Sequence, residues 1–321
     1  MGSTSRLSVK YEVILVTYEI EREIDTKQIL INLSKNKENL TKIRLIKMNP
    51  KDDKGPAARR NLGALLADSS ILLFADDDAM ILDDVKPLLE YLQTDKCQGV
   101  QPLIIRFEKP EIVDSAGDWV KKDNNLYIAY CRNAGMPLKD LPENLPTEEA
   151  PSLRSAFMLI KKDAFLVVGG FDSNYIFNFE DVDLGWRMTS AGYKLLFVPH
   201  IKAKHKGSLT TGDIKTISER AIRLSLLNTY ATNLKISSYS LWLYILLRFE
   251  RVLIGYERTR INQKKTVFIS AFKDFFVMNK LLIQRIGQAQ LHKNILSKKF
   301  NFSGRQKLED MANGKRFIYQ Q

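Results

Sequence analysis

An apolar run ending in three consecutive carboxylates sets the strongest limit on how this chain can fold. Ile71-Leu72-Leu73-Phe74-Ala75 has the length and content of a buried strand, and Asp76, Asp77 and Asp78 follow it directly. Three adjacent carboxylates repel one another unless a cation or water compensates. The strand therefore belongs inside a covered sheet, while its end must open onto a polar edge. Alternate members of the run can ligate a hard divalent ion through oxygen, as Mg2+ and Mn2+ prefer. A solvated acidic turn, with Asp83 and Asp84 nearby, accounts for the same residues without a metal.

The preceding segments supply the rest of such a sheet. Val13–Val16 is β-branched and apolar, Thr26 to Leu33 has helical spacing, and Ile43–Ile46 is a second short strand. A polar loop, Asn49 to Gly55, leads into Ala57–Leu66, a helix rich in Ala, Leu and Arg, and then to the strand Ser70–Ala75. Strands alternating with helices predict an α/β fold, a mainly parallel sheet flanked by helices. Ligands of open sheets bind beyond the carboxyl ends of the strands, so function is expected just after Val16, Met48 and Ala75. The chain has 321 residues, 45% of them hydrophobic, which is enough for a sizeable core. Its two cysteines, Cys97 and Cys131, exclude a disulfide scaffold and a thiolate-rich zinc site.

Further along come Gly169-Gly170-Phe171-Asp172 and then Glu180-Asp181-Val182-Asp183-Leu184-Gly185-Trp186-Arg187. The second stretch reads as a helix start, where carboxylates complement the helix dipole whether or not they do chemistry. Phe197-Val198-Pro199-His200 leads to His205. A lone histidine beyond a strand is more often a surface residue than a ligand.

The ordered set, however, is similar to one family. Gly-Pro-Ala-Ala-Arg-Arg-Asn-Leu-Gly at 55–63, the triple Asp at 76–78, Gly-Gly-Phe-Asp at 169–172, Glu-Asp-Val-Asp-Leu-Gly-Trp-Arg at 180–187, Val-Pro at 198–199 and His205 together resemble the family 2 inverting glycosyltransferases. Within that family the set looks most like the rhamnosyltransferase-type branch. The resemblance covers about residues 11–212. It implies a GT-A fold, a nucleotide-sugar donor, a glycan or lipid-linked acceptor, and Mg2+ or Mn2+. By similarity, Gly55, Arg60, Asn61, Asp76 and Asp77 serve the nucleotide sugar, and Asp78 and His205 the metal. Asp181 matches the general base, with Glu180 orienting the acceptor or tuning Asp181. Trp186 and Arg187 are packing residues or acceptor contacts, and Ser155-Ala156 stands where the family often has Gly-Ala.

The N-terminal half departs from the pattern. Only one strand candidate, Tyr11 to Glu19, precedes Ile43–Ile46, so one strand end and a clear base-binding aspartate are missing; Asp25 is a weak substitute. An alternative reading is a degenerate glycosyltransferase scaffold that partners another protein without transferring sugar. A sugar-nucleotide pyrophosphorylase would need a Gly-rich phosphate loop near the N-terminus, which this sequence lacks.

Charge divides the chain. Residues 213–321 carry 20 Lys/Arg against 7 Asp/Glu, leaving 29 against 30 for residues 1–212. A catalytic domain over 1–212 and a basic helical region over 213–321 are therefore expected, with the break in the Ser/Thr/Gly cluster 208–212. Thr216 and Glu219 form a capping-box pair, and Ile236–Leu247 is uncharged for only 12 residues, short of the roughly 20 that cross a bilayer. Arg248, Arg251, Arg258, Lys273 and Lys280 lie beside apolar faces, which suits an anionic membrane surface. The same faces would also suit packing on the body or in a homo-oligomer. No nucleic-acid motif is present. The N-terminus reads as neither a signal peptide nor a myristoylation site, so the expected location is cytoplasmic, peripheral at the inner face of the cell membrane.

Overall fold

The apolar runs become strands slightly longer than the runs themselves. The computed structural model describes residues 9–17, 39–94, 96–123, 126–176, 178–207, 228–229, 231–236 and 305–319. Tyr11–Thr17 forms β1 and Leu40–Lys47 forms β2, paired in parallel with Val13 opposite Ile43 and Val16 opposite Ile46. The helix expected over Thr26–Leu33, and Asp25, lie outside the described residues. Pro56–Leu66 forms α1, with proline in its first turn, where a missing N–H costs nothing.

The acidic strand is β3, Ile71–Ala75, followed by β4, Ala79–Ile81, and the helix α2, Lys86–Gln93. Next come β5 (Gly99–Arg106), β6 (Val113–Ser115), β7 (Asp118–Asp123), β8 (Leu126–Cys131), β9 (Glu148–Glu149) and β10 (Phe157–Lys161). Helices α3, Lys162–Val167, and α4, Glu180–Ser190, lead to β11, Leu195–His205. The main sheet has the order β3-β10-β5-β11-β4, with β6 beside β5 and β9 beside β11. β10 runs antiparallel to both β3 and β5, while β11 runs parallel to β5. Thus β3, β5 and β11 point one way, and β10 and β4 run against them. Their common end is where the acidic turn and His205 lie.

Residues 99–105 of β5 are buried throughout, as in a sheet covered on both faces. Pro199 interrupts β11, where its pairing with β5 slips between Val198 and Lys202. Proline cannot donate to the ladder, so a bulge here lets the strand continue to His205. On one face Phe74, Phe165 and Phe171 meet with ring centroids 5.2–5.4 Å apart, anchoring β3 and α3 in one cluster.

The described parts of the basic region pack on this body. Ile236 joins a buried cluster with Trp186. The last described helix, α5 (Arg305–Ala312), carries Glu309, which accepts hydrogen bonds from Lys122 and Tyr127. Arg316 donates to both oxygens of the fully buried Glu148 at 2.7 and 2.9 Å. The division drawn at residue 212 therefore does not coincide with a break in packing at these stretches. The capping pair at 216–219 and the amphipathic stretch from Ser237 to Lys280 lie outside the described residues. Among the described residues no helix is long and apolar enough to cross a membrane.

Candidate active site

A tight turn sorts the three aspartates. The Ala79 N–H donates to the Asp76 carbonyl at 3.0 Å, folding the chain from β3 straight into β4. Asp77 is exposed at the tip, while Asp76 and Asp78 are half-buried on the side facing β11. Antiparallel pairing of β4 with β11 puts His205 opposite Ala79. Its Nε2 then lies 3.4 Å from Asp78 Oδ1 and 3.7 Å from Asp76 Oδ2. Ligand atoms of Asp76, Asp78 and His205 all fall within 4.8 Å of one another.

The other imidazole nitrogen is tied down. His205 Nδ1 sits 3.1 Å from Asp114 Oδ2 on β6, a carboxylate only 1% exposed. An ionised Asp114 takes the Nδ1 proton as its hydrogen bond and leaves Nε2 aimed at the two aspartates. A carboxylate behind the histidine is the usual support of a metal-bound imidazole. Burial alone would lower the His205 pKa, but Asp114, then Asp78 and Asp76, outweigh it and raise it. Two carboxylates and an oriented imidazole are a donor set suited to Mg2+ or Mn2+, so these residues fit such an ion. Asp76, assigned to the nucleotide by resemblance, stands inside this group, whereas Asp77 stands outside it.

Arg60 joins this turn to the next element. Its Nη2 lies 2.6 Å from Asp76 Oδ1 and its Nη1 2.7 Å from Glu180 Oε1. Burial pushes the Glu180 carboxyl up, the Asp181 charge adds to this, and Arg60 opposes both, leaving it at about 6. Asp181, the next residue on α4, is half-buried. Its Oδ2 accepts from the Ser155 N–H at 3.3 Å and its Oδ1 from the Val182 N–H at 2.8 Å. Asn178 and Phe179 enter α4 at φ 58 and 78, a left-handed backbone that ordinary residues adopt only where surroundings enforce it.

The remaining expected site residues hold backbone. Asn61 donates to the Phe171 carbonyl at 2.7 Å and accepts from the Phe171 N–H at 2.9 Å, so both ends of its amide serve the 169–172 turn. Its amide nitrogen also lies 3.3 Å from Ser173 Oγ. Gly170, at φ +65, completes the contact with the turn, because a Cβ there would lie 2.7 Å from Asn61 Oδ1. Gly55 caps α1. Of the two readings of Trp186 and Arg187, packing fits: Trp186 is fully buried between Tyr127 and Phe179. Arg187 bonds Asp183 and donates to the carbonyls of Val168 and Gly170 at 2.7 Å each.

Sequence reasoning missed Asp114, Asp118, Arg154 and Lys235. The first two were visible only as acids in or beside short apolar stretches, and the two cations carried no local signal. Lys235, 1% exposed, places Nζ 2.6 Å from Asp172 Oδ2 and 2.8 Å from Asp183 Oδ1.

An α/β body with an acidic turn, an oriented histidine and a carboxylate on the facing helix defines a class of enzyme-like site, and comparison with known proteins gives its family. Residues 11–236 match the model of Glycosyltransferase like family 2. This is well over half of the chain, which belongs to that family. The α/β, GT-A expectation agrees with this membership and with the sheet described above. A stretch of 72 residues is 39% identical to N-acetylglucosaminyl-diphospho-decaprenol L-rhamnosyltransferase of Mycobacterium tuberculosis, covering 22% of this chain and 24% of that protein. Rhamnosyltransferase WbbL of Escherichia coli is 24% identical over 167 residues, 51% of this chain and 61% of that one. The chain thus spans less than two thirds of the length of either relative. Among solved structures, GalNAc-T7 with UDP, GalNAc and Mn2+ is similar at a TM-score of 0.47 and 16% identity, over 70% of this chain and 47% of that one.

Proposed function

We propose that this protein transfers a sugar from a nucleotide-sugar donor to a hydroxyl of a glycan or lipid-linked acceptor, with a divalent metal and with inversion at the anomeric carbon. The observation that carries this reading is the convergence of Asp76, Asp78 and His205 within 4.8 Å, linked through Arg60 to the α4 turn that bears Asp181. Asp78 and His205, with Asp76 beside them, would hold Mg2+ or Mn2+, which would supply positive charge for the departing nucleoside diphosphate. Asp114 keeps the His205 ring oriented for that task. Asp181 accepts the proton of the acceptor hydroxyl as its oxygen attacks the anomeric carbon from the face opposite the leaving group. One base and one stabilised leaving group suffice for a single in-line displacement, hence inversion. Glu180, about half protonated near pH 6 and anchored by Arg60, orients the acceptor beside Asp181.

The name of the mycobacterial relative, which includes a diphospho-decaprenol acceptor, favours a lipid-linked acceptor. The basic excess of residues 213–321 favours work at the cytoplasmic face of an anionic membrane. The test is a screen of UDP-, GDP- and dTDP-sugars with Mn2+ or Mg2+, followed by NMR of the product anomer. Asp181→Asn is expected to keep donor binding and to lose transfer about 100-fold or more. Donor binding indifferent to both EDTA and Asp78→Ala would remove the metal from the reading, and a product retaining the donor's anomeric configuration would reject inversion.

A further inference from the structure

We propose that Arg154 is a positioning residue for Asp181: its guanidinium offsets the Asp118 carboxylate, so that the proton-accepting carboxylate is not left facing a second unpaired one. The proposal rests on the reading of Asp181 as the base, and it concerns a cation that no sequence motif marks.

Four groups meet behind Asp181. Asp114 comes from β6, Asp118 from β7, Cys131 from β8 and Arg154 from the loop before β10, with Asp181 itself on α4. Arg154 is buried, 9% exposed, with its N–H donating to Gln101 Oε1 at 2.7 Å. Its Nη1 reaches to 2.5 Å from Cys131 Sγ. Cys131 pairs directly with Asp118 across the β7–β8 ladder. The next residue after Arg154, Ser155, donates its N–H to Asp181 Oδ2 at 3.3 Å. One dipeptide therefore holds the base carboxylate through its backbone and faces the competing acid through its side chain.

The charges around this point are unbalanced without the arginine. Asp118 is 4% exposed, and its buried Oδ1 has no hydrogen-bond partner among the described residues. Burial pushes the Asp118 carboxyl up to about 6, with Arg154 opposing and Asp181 adding to the rise. Arg154 acts in turn on Cys131, Asp118, Asp114 and Asp181. The Cys131 thiol is held far above its ordinary range by burial and stays neutral, so it offers no compensating charge. Asp181 is thus faced by Asp118 and Cys131 from the hairpin, Arg154 from the loop and Glu180 on its own helix, with Asp114 on β6 acting on Asp118 and Arg154. Removing Arg154 leaves carboxylates facing one another, and such a set retains a proton.

The experiment uses the full chain with 13C-carboxyl-labelled aspartate, following the Asp181 resonance against pH in the wild type, Arg154→Met, Arg154→Lys and Arg154→Met with Asp118→Asn. Arg154→Met is expected to raise the titration midpoint of Asp181 by about one unit or more, the usual effect of losing a close opposite charge. The double variant and Arg154→Lys should return it toward the wild-type value. In parallel, kcat at pH 7 should fall about tenfold or more in Arg154→Met and recover in the double variant, with KM for the donor unchanged. If Arg154→Met fails to fold, Asp118→Asn alone decides, since it should lower the Asp181 midpoint. An unchanged Asp181 midpoint in a folded variant overturns the proposal, as does a double variant as impaired as Arg154→Met. A wild type that transfers no sugar from any donor defeats the glycosyl-transfer reading instead, while the carboxyl titrations still decide whether Arg154 offsets Asp118.

Discussion

Two of the carboxylate pairs among the described residues are treated in opposite ways. Asp172 and Asp183 are closed off: Lys235 bridges them at 2.6 and 2.8 Å, and Arg187 adds a bond to Asp183 at 2.8 Å. Asp76 and Asp78 remain about 30% exposed, and their nearest partners are Arg60, shared with Glu180, and a histidine. Two carboxylates matched by two committed cations form a structural joint. Two carboxylates with a shared cation and an oriented imidazole keep affinity for a further positive charge. Balance separates the joint from the site more clearly than acidity does.

The largest expected effect comes from unbalancing the joint. Lys235→Met should cost about 3–5 kcal/mol, because it leaves buried carboxylates uncompensated. Urea unfolding measures this directly. Burial alone would raise the Asp172 carboxyl, but Lys235 reverses this and holds it well below the usual carboxylate range; Asp183, also raised by burial, is lowered by Arg187 and then Lys235. Their stabilisation in the wild type is therefore complete above the unfolded carboxylate pKa of about 3.9 and is lost as pH falls through the folded values. In Lys235→Met the sign should invert over the acidic range, with stability rising as the pair takes up protons. An unchanged pH slope would refute the joint.

A smaller effect tests how α4 is seated between the two regions. A Cβ at Gly185 would lie 2.3 Å from Ser152 Cβ and 2.4 Å from its Cα. Gly185→Ala should cost about 1–3 kcal/mol by overpacking. By pushing α4 away from residues 152–155 it should also weaken the Ser155–Asp181 contact and lower transfer. A melting temperature equal to that of the wild type would show that the helix approaches less closely.

The site should respond in affinity rather than in fold. Asp114→Asn is expected to weaken Mn2+ binding about 10–100-fold, as loss of a carboxylate behind a ligand histidine does. Calorimetry or electron paramagnetic resonance reads it. Because the His205 pKa is raised in the metal-free chain, protons compete for Nε2, so Mn2+ affinity should fall as pH drops below that value. Equal affinity at pH 8 and pH 6 would remove His205 from the ligand set. The smallest effect is expected at the exposed tip, where Asp77→Asn should change stability by less than about 0.5 kcal/mol and leave Mn2+ binding intact.

How much of this was legible in the chain depends on the range of the cause. The strand before Asp76 is readable as a strand from its uninterrupted apolar run, but its place is not. β3 ends the described sheet order and alternates, with Leu72 and Phe74 buried and Leu73 exposed. Helices α1 and α4 are readable because proline and acids mark a helix start. His205 was readable only through the order of motifs around it. Asn61 belonged to the same pattern, yet its amide went to the backbone of Phe171, 110 residues away. Composition placed a boundary near residue 212, but charge per segment does not report packing, and Lys235 and Arg316 each found a buried carboxylate in the body, Asp183 and Glu148.

The α/β alternation, the acidic strand end, the acids at the start of α4 and the family pattern can all be read along the chain, because each follows from neighbours within a few residues. Which two of the three aspartates meet His205 depends on the folded chain, where a single turn points Asp77 outward and keeps Asp76 and Asp78 together. The fold also decides which cations balance which buried acids. Arg154 lies 36 positions from Asp118 and Lys235 lies 52 positions from Asp183. Coulomb energy and desolvation depend on distance and burial in space, and neither is encoded by proximity along the chain.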